Sequence, residues 1–209
     1  KAKTCTDVLF MDNLSKEYII DFFSKKLMLF GNTPAAVGWS AAGQRLRYEC
    51  LLNLLPLEGQ SVLDFGCGKG DFYSFLKEKG IKVKYRGIDI NLKLIETASH
   101  NHPEAEFMTS DIDSEELPED YDYIISCGVF NLNVEGVKES IERYLRKLFE
   151  HTNKTLLLNC LGSHSKIKDI NLIYLDPKDL VAAAKKITDS TAIYHDLIEG
   201  DIFLLLNKS

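Results

Sequence analysis

One stretch restricts what this chain can fold into more than any other: Ser61-Val62-Leu63-Asp64-Phe65-Gly66-Cys67-Gly68-Lys69-Gly70-Asp71. Its apolar start, Val62 and Leu63, runs into a loop with glycine at alternate positions, Gly66, Gly68 and Gly70. Phe72, Phe75 and Leu76 follow at the i, i+3, i+4 spacing of an amphipathic helix, and Gly80 supplies its stop. A strand that turns straight into a helix directs backbone N–H groups at whatever lies above the turn. Glycine lets the backbone approach a ligand where any Cβ would clash. By themselves the three glycines are equally compatible with a turn that binds nothing.

The spacing separates classes of ligand. A dinucleotide fingerprint is G-x-G-x-x-G, with the helix N-terminus on a pyrophosphate. Here the third glycine comes one residue early, and Asp64 lies two positions before the first. A carboxylate at that place repels a pyrophosphate and suits a ligand with an ammonium group. S-adenosylmethionine (SAM) carries an α-amino group and a sulfonium, and no phosphate. The run Asp64-Phe65-Gly66-Cys67-Gly68-Lys69-Gly70 resembles motif I of the class I SAM-dependent methyltransferases. The resemblance is carried by residues 37–111 and extends over the remaining sheet in topology only.

The rest of the chain reads as alternating strands and helices. Residues 14–30 have the apolar spacing of a helix, with Gly31 as its stop, and Ser40 caps a second helix that ends before Pro56. On that second helix Leu46, Cys50 and Leu54, widened by Leu51 and Leu55, are expected inside, and Gln44, Arg45, Arg47 and Tyr48 outside. Strands are expected over 84–90, 106–112, 121–127, 155–160, 191–198 and 201–207, and helices over 91–100, 137–149 and 177–187. Alternation implies a parallel sheet with helices on both faces, and the short turn at Glu199-Gly200 makes the last two strands antiparallel. The expected fold is therefore α/β: a Rossmann-like, seven-stranded, mostly parallel sheet with an antiparallel C-terminal hairpin. All 209 residues form one domain, with 1–57 a helical N-terminal cap and 58–209 the core. The polar, turn-rich segment 113–120 is expected to be a solvated loop.

Asp89 ends the second strand, where an open α/β sheet places an acid that accepts hydrogen bonds from ribose hydroxyls. The competing reading, an acid that caps the next helix, has Asn91 as a ready alternative. By resemblance, Ile90 lies beside the adenine, Asp111 meets its amino group and Ile112 covers one ring face; ordinary core packing explains Ile112 as well. The resemblance also puts the sulfonium end and the acceptor pocket at Ser126-Cys127-Gly128-Val129-Phe130-Asn131, with the Cys127 carbonyl facing the SAM amino group. Gly66, Cys67 and Gly68 complete the cofactor set with Asp64. Arg45 is expected to pair with the SAM carboxylate, since guanidinium matches carboxylate geometry bidentately, and Trp39 to wall the pocket. A surface arginine and a core tryptophan are the plainer readings of those two.

Methyl transfer from a sulfonium needs alignment and exclusion of water, and a general base only where the nucleophile holds a proton. His164, and after it His195, are the candidate bases, and Asn131, Tyr18 and Tyr48 the candidates to orient an acceptor. Cys127, with no histidine beside it in sequence, reads as a packed small residue. The five cysteines form no C-x-x-C or zinc spacing, which fits a reducing cytoplasm and no metal. There is no signal-peptide pattern and no apolar run long enough to span a membrane. The formal net charge is −6, which argues against a polyanionic partner, as does the absence of an Asn/Asp-Pro-Pro-Tyr motif. The expected activity is SAM-dependent methylation of an oxygen or nitrogen on a small-molecule acceptor, with S-adenosylhomocysteine as product. An RNA or protein methyltransferase, using the basic residues Lys25, Lys26, Arg45 and Arg47, and a non-catalytic SAM binder are the alternatives.

Overall fold

The computed structural model describes residues 11–208. Helix α1 (Asn13–Phe30) starts where Asp12 accepts the Ser15 N–H and stops at Gly31, whose φ of 57° is costly for any residue with a Cβ. A 3-10 turn over Pro34–Val37 leads to α2 (Ala41–Leu54), capped by the Ser40 hydroxyl on the Gly43 N–H. The core then alternates β1 (Ser61–Phe65), α3 (Asp71–Glu78), β2 (Lys84–Asp89), α4 (Leu92–Asn101), β3 (Glu106–Thr109), β4 (Tyr121–Cys127), α5 (Val137–Glu150) and β5 (Thr152–Leu161). It closes with α6 (Pro177–Lys185), β6 (Thr191–Tyr194) and β7 (Asp201–Asn207).

The seven strands form one sheet in the order β3-β2-β1-β4-β5-β7-β6. Pairings among β1 to β5 are parallel, whereas β7 runs antiparallel to both β5 and β6. The expected fold class is therefore observed, with β7 inserted between β5 and β6. Burial explains that insertion: Ile202 to Leu206 is apolar on both faces, while Thr191 to Tyr194 of β6 is only half covered. Strand order reverses between β1 and β4, so the crevice at their C-terminal ends is the natural ligand site of such a sheet.

Side-chain alternation builds two apolar layers. Leu63, Ile124 and Leu156 pack on one face with Ile141, Leu145 and Leu148 of α5, and Val62, Tyr123 and Leu157 on the other with Phe72, Phe75 and Leu76 of α3. Helix α1 lies across the C-terminal strand ends. It is held there by the Ile20 carbonyl accepting from Asn91 Nδ2 at 2.9 Å and by Lys16, which reaches Asp111 and Asp113.

Four expectations need correction. Strand β3 ends at Thr109 rather than at 112, because Asp111 starts a turn: its carbonyl accepts from Ser114 and Glu115 and its carboxylate from the Asp113 N–H. Strand β6 ends at Tyr194 rather than at 198. On α2 the expected faces are partly exchanged: Leu46 is 45% exposed, Gln44 only 8%. Gln44 turns inward because Asp71 needs a donor, and Arg47 because Asp201 does. Within 113–120, likewise, Asp113 and Leu117 are largely covered rather than solvated. Of the five cysteines Cys5 lies outside the described residues, and the other four are free.

Leu204 is fully buried between Leu158 and Ile193, and Tyr194 is 37% exposed on the edge strand. Leu204→Ala is expected to lower unfolding stability by about 2–5 kcal/mol, and Tyr194→Ala by roughly 1 kcal/mol or less, read from urea unfolding midpoints.

Candidate active site

The glycine loop is tied to β2 by backbone bonds. The Gly66 and Cys67 N–H groups both donate to the Ile88 carbonyl, at 2.8 and 3.0 Å. Gly66 has φ 76°, and a Cβ there would stand 2.3 Å from Val129 Cγ2. The Gly68 N–H donates to Asp89 Oδ2 and the Asn91 N–H to Asp89 Oδ1, each at 2.9 Å. One carboxylate thus joins the loop after β1 to the loop after β2. Burial pushes the Asp89 carboxyl up while these two donors pull it down. Asn91 separately caps α4, so Asp89 is not needed for that task. At the start of α3 the nearly buried Lys69 pairs with Asp71, whose other oxygen accepts from Gln44 at 2.8 Å. An acid already occupies that helix N-terminus, which disfavours a phosphate there.

Eight of the expected residues line a single cavity: Trp39, Gly66, Gly68, Asp89, Ile90, Asp111, Ile112 and Cys127. Ile19 and Phe23 of α1 and Tyr144 of α5 close it. Aliphatic walls with acids at two points fit a purine nucleoside. Gly128 allows close approach from another side, since a Cβ there would lie 2.3 Å from the Trp39 ring. A second cavity, of about 420 Å³, shares Phe23, Val37, Trp39 and Gly128 with the first and also takes in Asn131, Arg47 and Lys26. Asn131 is held by its Oδ1, which accepts from the Leu161 N–H at 3.2 Å.

Four expected residues lie elsewhere. Asp64 is 4% exposed and off the cavity wall, with the Tyr85 hydroxyl donating to it at 2.6 Å; burial pushes its carboxyl up to about 7. Cys67 points back into the fold, where its sulfur would stand 2.8 Å from a Cβ at Gly87. Arg45 is on the outer side of α2, bound through both terminal nitrogens to Glu78 at 2.8 and 2.6 Å. The inward stripe of that helix runs through 44, 47, 48 and 51, so position 45 faces away. His164 is exposed, rests against Gly162 and makes an edge contact with His195 at 5.8 Å; neither histidine lines either cavity. Tyr18 is 52% exposed, and Tyr48 packs against Phe72 and Phe75.

Lys16 escaped the sequence reading because a lysine in an amphipathic helix reads as solvated. It is 7% exposed, with Nζ 2.8 Å from Asp111 and 2.7 Å from Asp113. Burial lowers its pKa, but hydrogen bonds and charge from the two acids outweigh that and hold it raised. The Tyr144 hydroxyl donates to Asp113 at 2.7 Å, which links α5 to the same cluster.

The methyltransferase-domain family matches residues 62–154, from β1 into β5. A putative methyltransferase of Mycobacterium tuberculosis is 28% identical over 160 residues, 71% of this chain and 93% of that one. The ribosomal RNA small subunit methyltransferase C of Photobacterium profundum is 32% identical over 101 residues, which span 46% of this chain and 30% of that longer protein. In fold, the chain is similar to the magnesium protoporphyrin IX methyltransferase of Synechocystis crystallised with bound SAH, with TM-score 0.69 and 16% identity over 93% of this chain and all of that one. The sheet order, the glycine loop and these matches together support a class I SAM-dependent methyltransferase. The matches are to enzymes, and the similar solved structure from Synechocystis is also known with bound SAM. No helix among the described residues is long and apolar enough to cross a membrane, and no group of three or more metal-ligating side chains comes together among them.

The raised Asp64 carboxyl has a measurable consequence. Folded, it keeps its proton to about pH 7; unfolded, it releases it near ~4. Its contribution to folding is full below the unfolded value and is lost as pH rises through 7. Asp64→Asn removes that slope and leaves Tyr85 an acceptor, so the variant is expected to gain stability relative to wild type between about pH 5 and about pH 8 in urea titrations. Arg45→Ala is expected to leave SAM affinity within about twofold of wild type by calorimetric titration, since exposed ion pairs couple weakly to distant sites.

Proposed function

We propose that the protein methylates an oxygen or nitrogen of a small-molecule acceptor held in the second cavity. The carrying observation is that this cavity adjoins the first through Trp39 and Gly128 and is walled by α1, the turn before α2 and residues 161–172. A chamber of about 420 Å³ suits a compact acceptor better than a polymer.

In this reading Asp89 accepts from ribose hydroxyls, with lone pairs beyond those used by Gly68 and Asn91. Ile90 and Ile112 flank the adenine, and Asp111, although bound by Lys16, keeps acceptor capacity for the adenine amine. The glycines at 66 and 68 and the Cys127 carbonyl contact the amino-acid end. When bound, SAM supplies an electrophilic methyl group on a sulfonium. The chain's own contribution is alignment and dryness: α1 covers the junction, Trp39 separates the chambers, and Asn131, fixed by Leu161, presents its amide nitrogen to the acceptor. With both histidines outside the cavities, an acceptor that carries an ionised or unprotonated nucleophile fits best.

A ribosomal RNA acceptor is the second reading, favoured by relatives that are 32–34% identical over about half of this chain. Against it, two of the basic N-terminal residues are neutralised: Lys25 by Asp21 and Arg45 by Glu78, each at 2.6 Å. Incubation with methyl-labelled SAM and a cell extract split by size distinguishes the two. Label in the small-molecule fraction is expected, and label retained on RNA or protein overturns the proposal. Asp89→Ala is expected to weaken SAM binding at least about tenfold, ~1.4 kcal/mol, by equilibrium dialysis.

A further inference from the structure

We infer that Arg47 reads a carboxylate on the acceptor; this rests on the small-molecule reading and names the substrate class of the second cavity. A guanidinium has five N–H groups in a rigid fork. In Arg47, Nε donates to Asp201 Oδ2 and Nη2 to Asp201 Oδ1, both at 2.6 Å, and Nη1 donates to the Gly43 carbonyl at 3.1 Å. One N–H on each terminal nitrogen is left without an acceptor among the described residues. Nη1 and Nη2 adjoin at the far edge of the guanidinium, an arrangement that a carboxylate bridges bidentately.

The fork is held rigidly. Asp201 is 1% exposed and also accepts from Asn159 Nδ2 at 3.0 Å, and Asn159 is fully buried. The guanidinium carbon lies 4.2 Å from the Trp39 ring centroid, and both residues line the second cavity. Asp201 is thus a positioning residue, and Arg47 meets the acceptor with little reorganisation.

Charge on the wall agrees with an anionic group. The Arg47–Asp201 pair is neutral as a unit. Lys26 adds a cation, its ammonium 5.4 and 5.3 Å from the Phe22 and Phe30 ring centroids, and pairs with no carboxylate among the described residues. The wall also carries one acid, Asp169, which is exposed and whose Oδ1 accepts from the backbone and side-chain N–H groups of Asn171. Phe22, Phe23 and Leu132 supply apolar surface. An acceptor with an aromatic or compact apolar body and one carboxylate matches this wall.

Trp39 is the chain's one tryptophan, so its fluorescence reports on this chamber directly. The test titrates the full chain, loaded with S-adenosylhomocysteine, with benzoate, phenylacetate and 3-phenylpropanoate, each against its primary amide. At least one acid is expected to bind saturably and about tenfold or more tighter than its amide, the discrimination of one charge-assisted fork. Arg47→Gln is expected to bring the pair within about twofold, and Arg47→Lys, which keeps the charge but not the fork, to lose most of the preference. No acid outbinding its amide in wild type, or a preference unchanged in both variants, overturns the inference. Label on RNA or protein with the acid preference intact overturns only the small-molecule reading; label in the small-molecule fraction with no acid preference overturns only the role of Arg47.

Discussion

The carboxylate of Asp89 is the joint on which the site depends. It takes one backbone N–H from the glycine loop and one from the segment after β2, so the two loops that flank the switch point are held at one spacing. A carboxylate accepting two backbone donors is a charge-assisted contact, stronger than a neutral hydrogen bond. Its cost is desolvation, visible in the upward push on its carboxyl. The glycines act with it. Gly66 must be free of a Cβ because Val129 fills that space, and Gly128 because Trp39 does. The loop after β4 therefore closes on the loop after β1 and on the segment before α2 through two residues without side chains.

A second layer of charge holds the roof. Helix α1 buries no apolar side chain fully, so hydrophobic contact alone is a poor latch for it. Lys16 supplies the directional contact, because Asp111 and Asp113 would otherwise be two neighbouring acids in partial burial. Asp113 is further shared with Tyr144, so the roof, the loop after β3 and α5 meet at one carboxylate. The same cluster places Asp111 on the wall of the first cavity, which couples the seating of α1 to that cavity.

On the acceptor side, α2 departs from a simple amphipathic pattern. Its inward stripe carries Gln44 and Arg47, each answering an acid from another part of the fold, Asp71 and Asp201. Leu46 is left in solvent as a result. Polar residues on an inner face are costly unless paired, and here each one is paired. The helix is in this way fixed in rotation as well as in position, which brings Trp39 and Arg47 to the boundary of the two chambers.

Strong local periodicity made most of the fold legible from residues alone. The spacing in 137–149, the caps at Ser40, Asn91 and Asp176, and the glycine stops each depend on neighbours within a few positions. That these residues meet was legible for a related reason: Gly66, Gly68, Asp89 and Cys127 sit at strand ends, and strand ends in such a sheet converge on one cavity. What the sequence left open were contacts between residues far apart in the chain. Lys16 and Asp111 are 95 positions apart, and Arg47 and Asp201 are 154 apart. No local pattern distinguishes a lysine or arginine that finds a buried acid from one that faces water. For the same reason Arg45 was expected at the cofactor and Arg47 on the surface, whereas the packing leaves Arg45 outside with Glu78 and turns Arg47 inward to Asp201. Local sequence determined the elements, the glycine loop and the class of cofactor. Only the tertiary structure decided which charges meet, because that choice is set by which buried carboxylates remain to be satisfied once the sheet has closed.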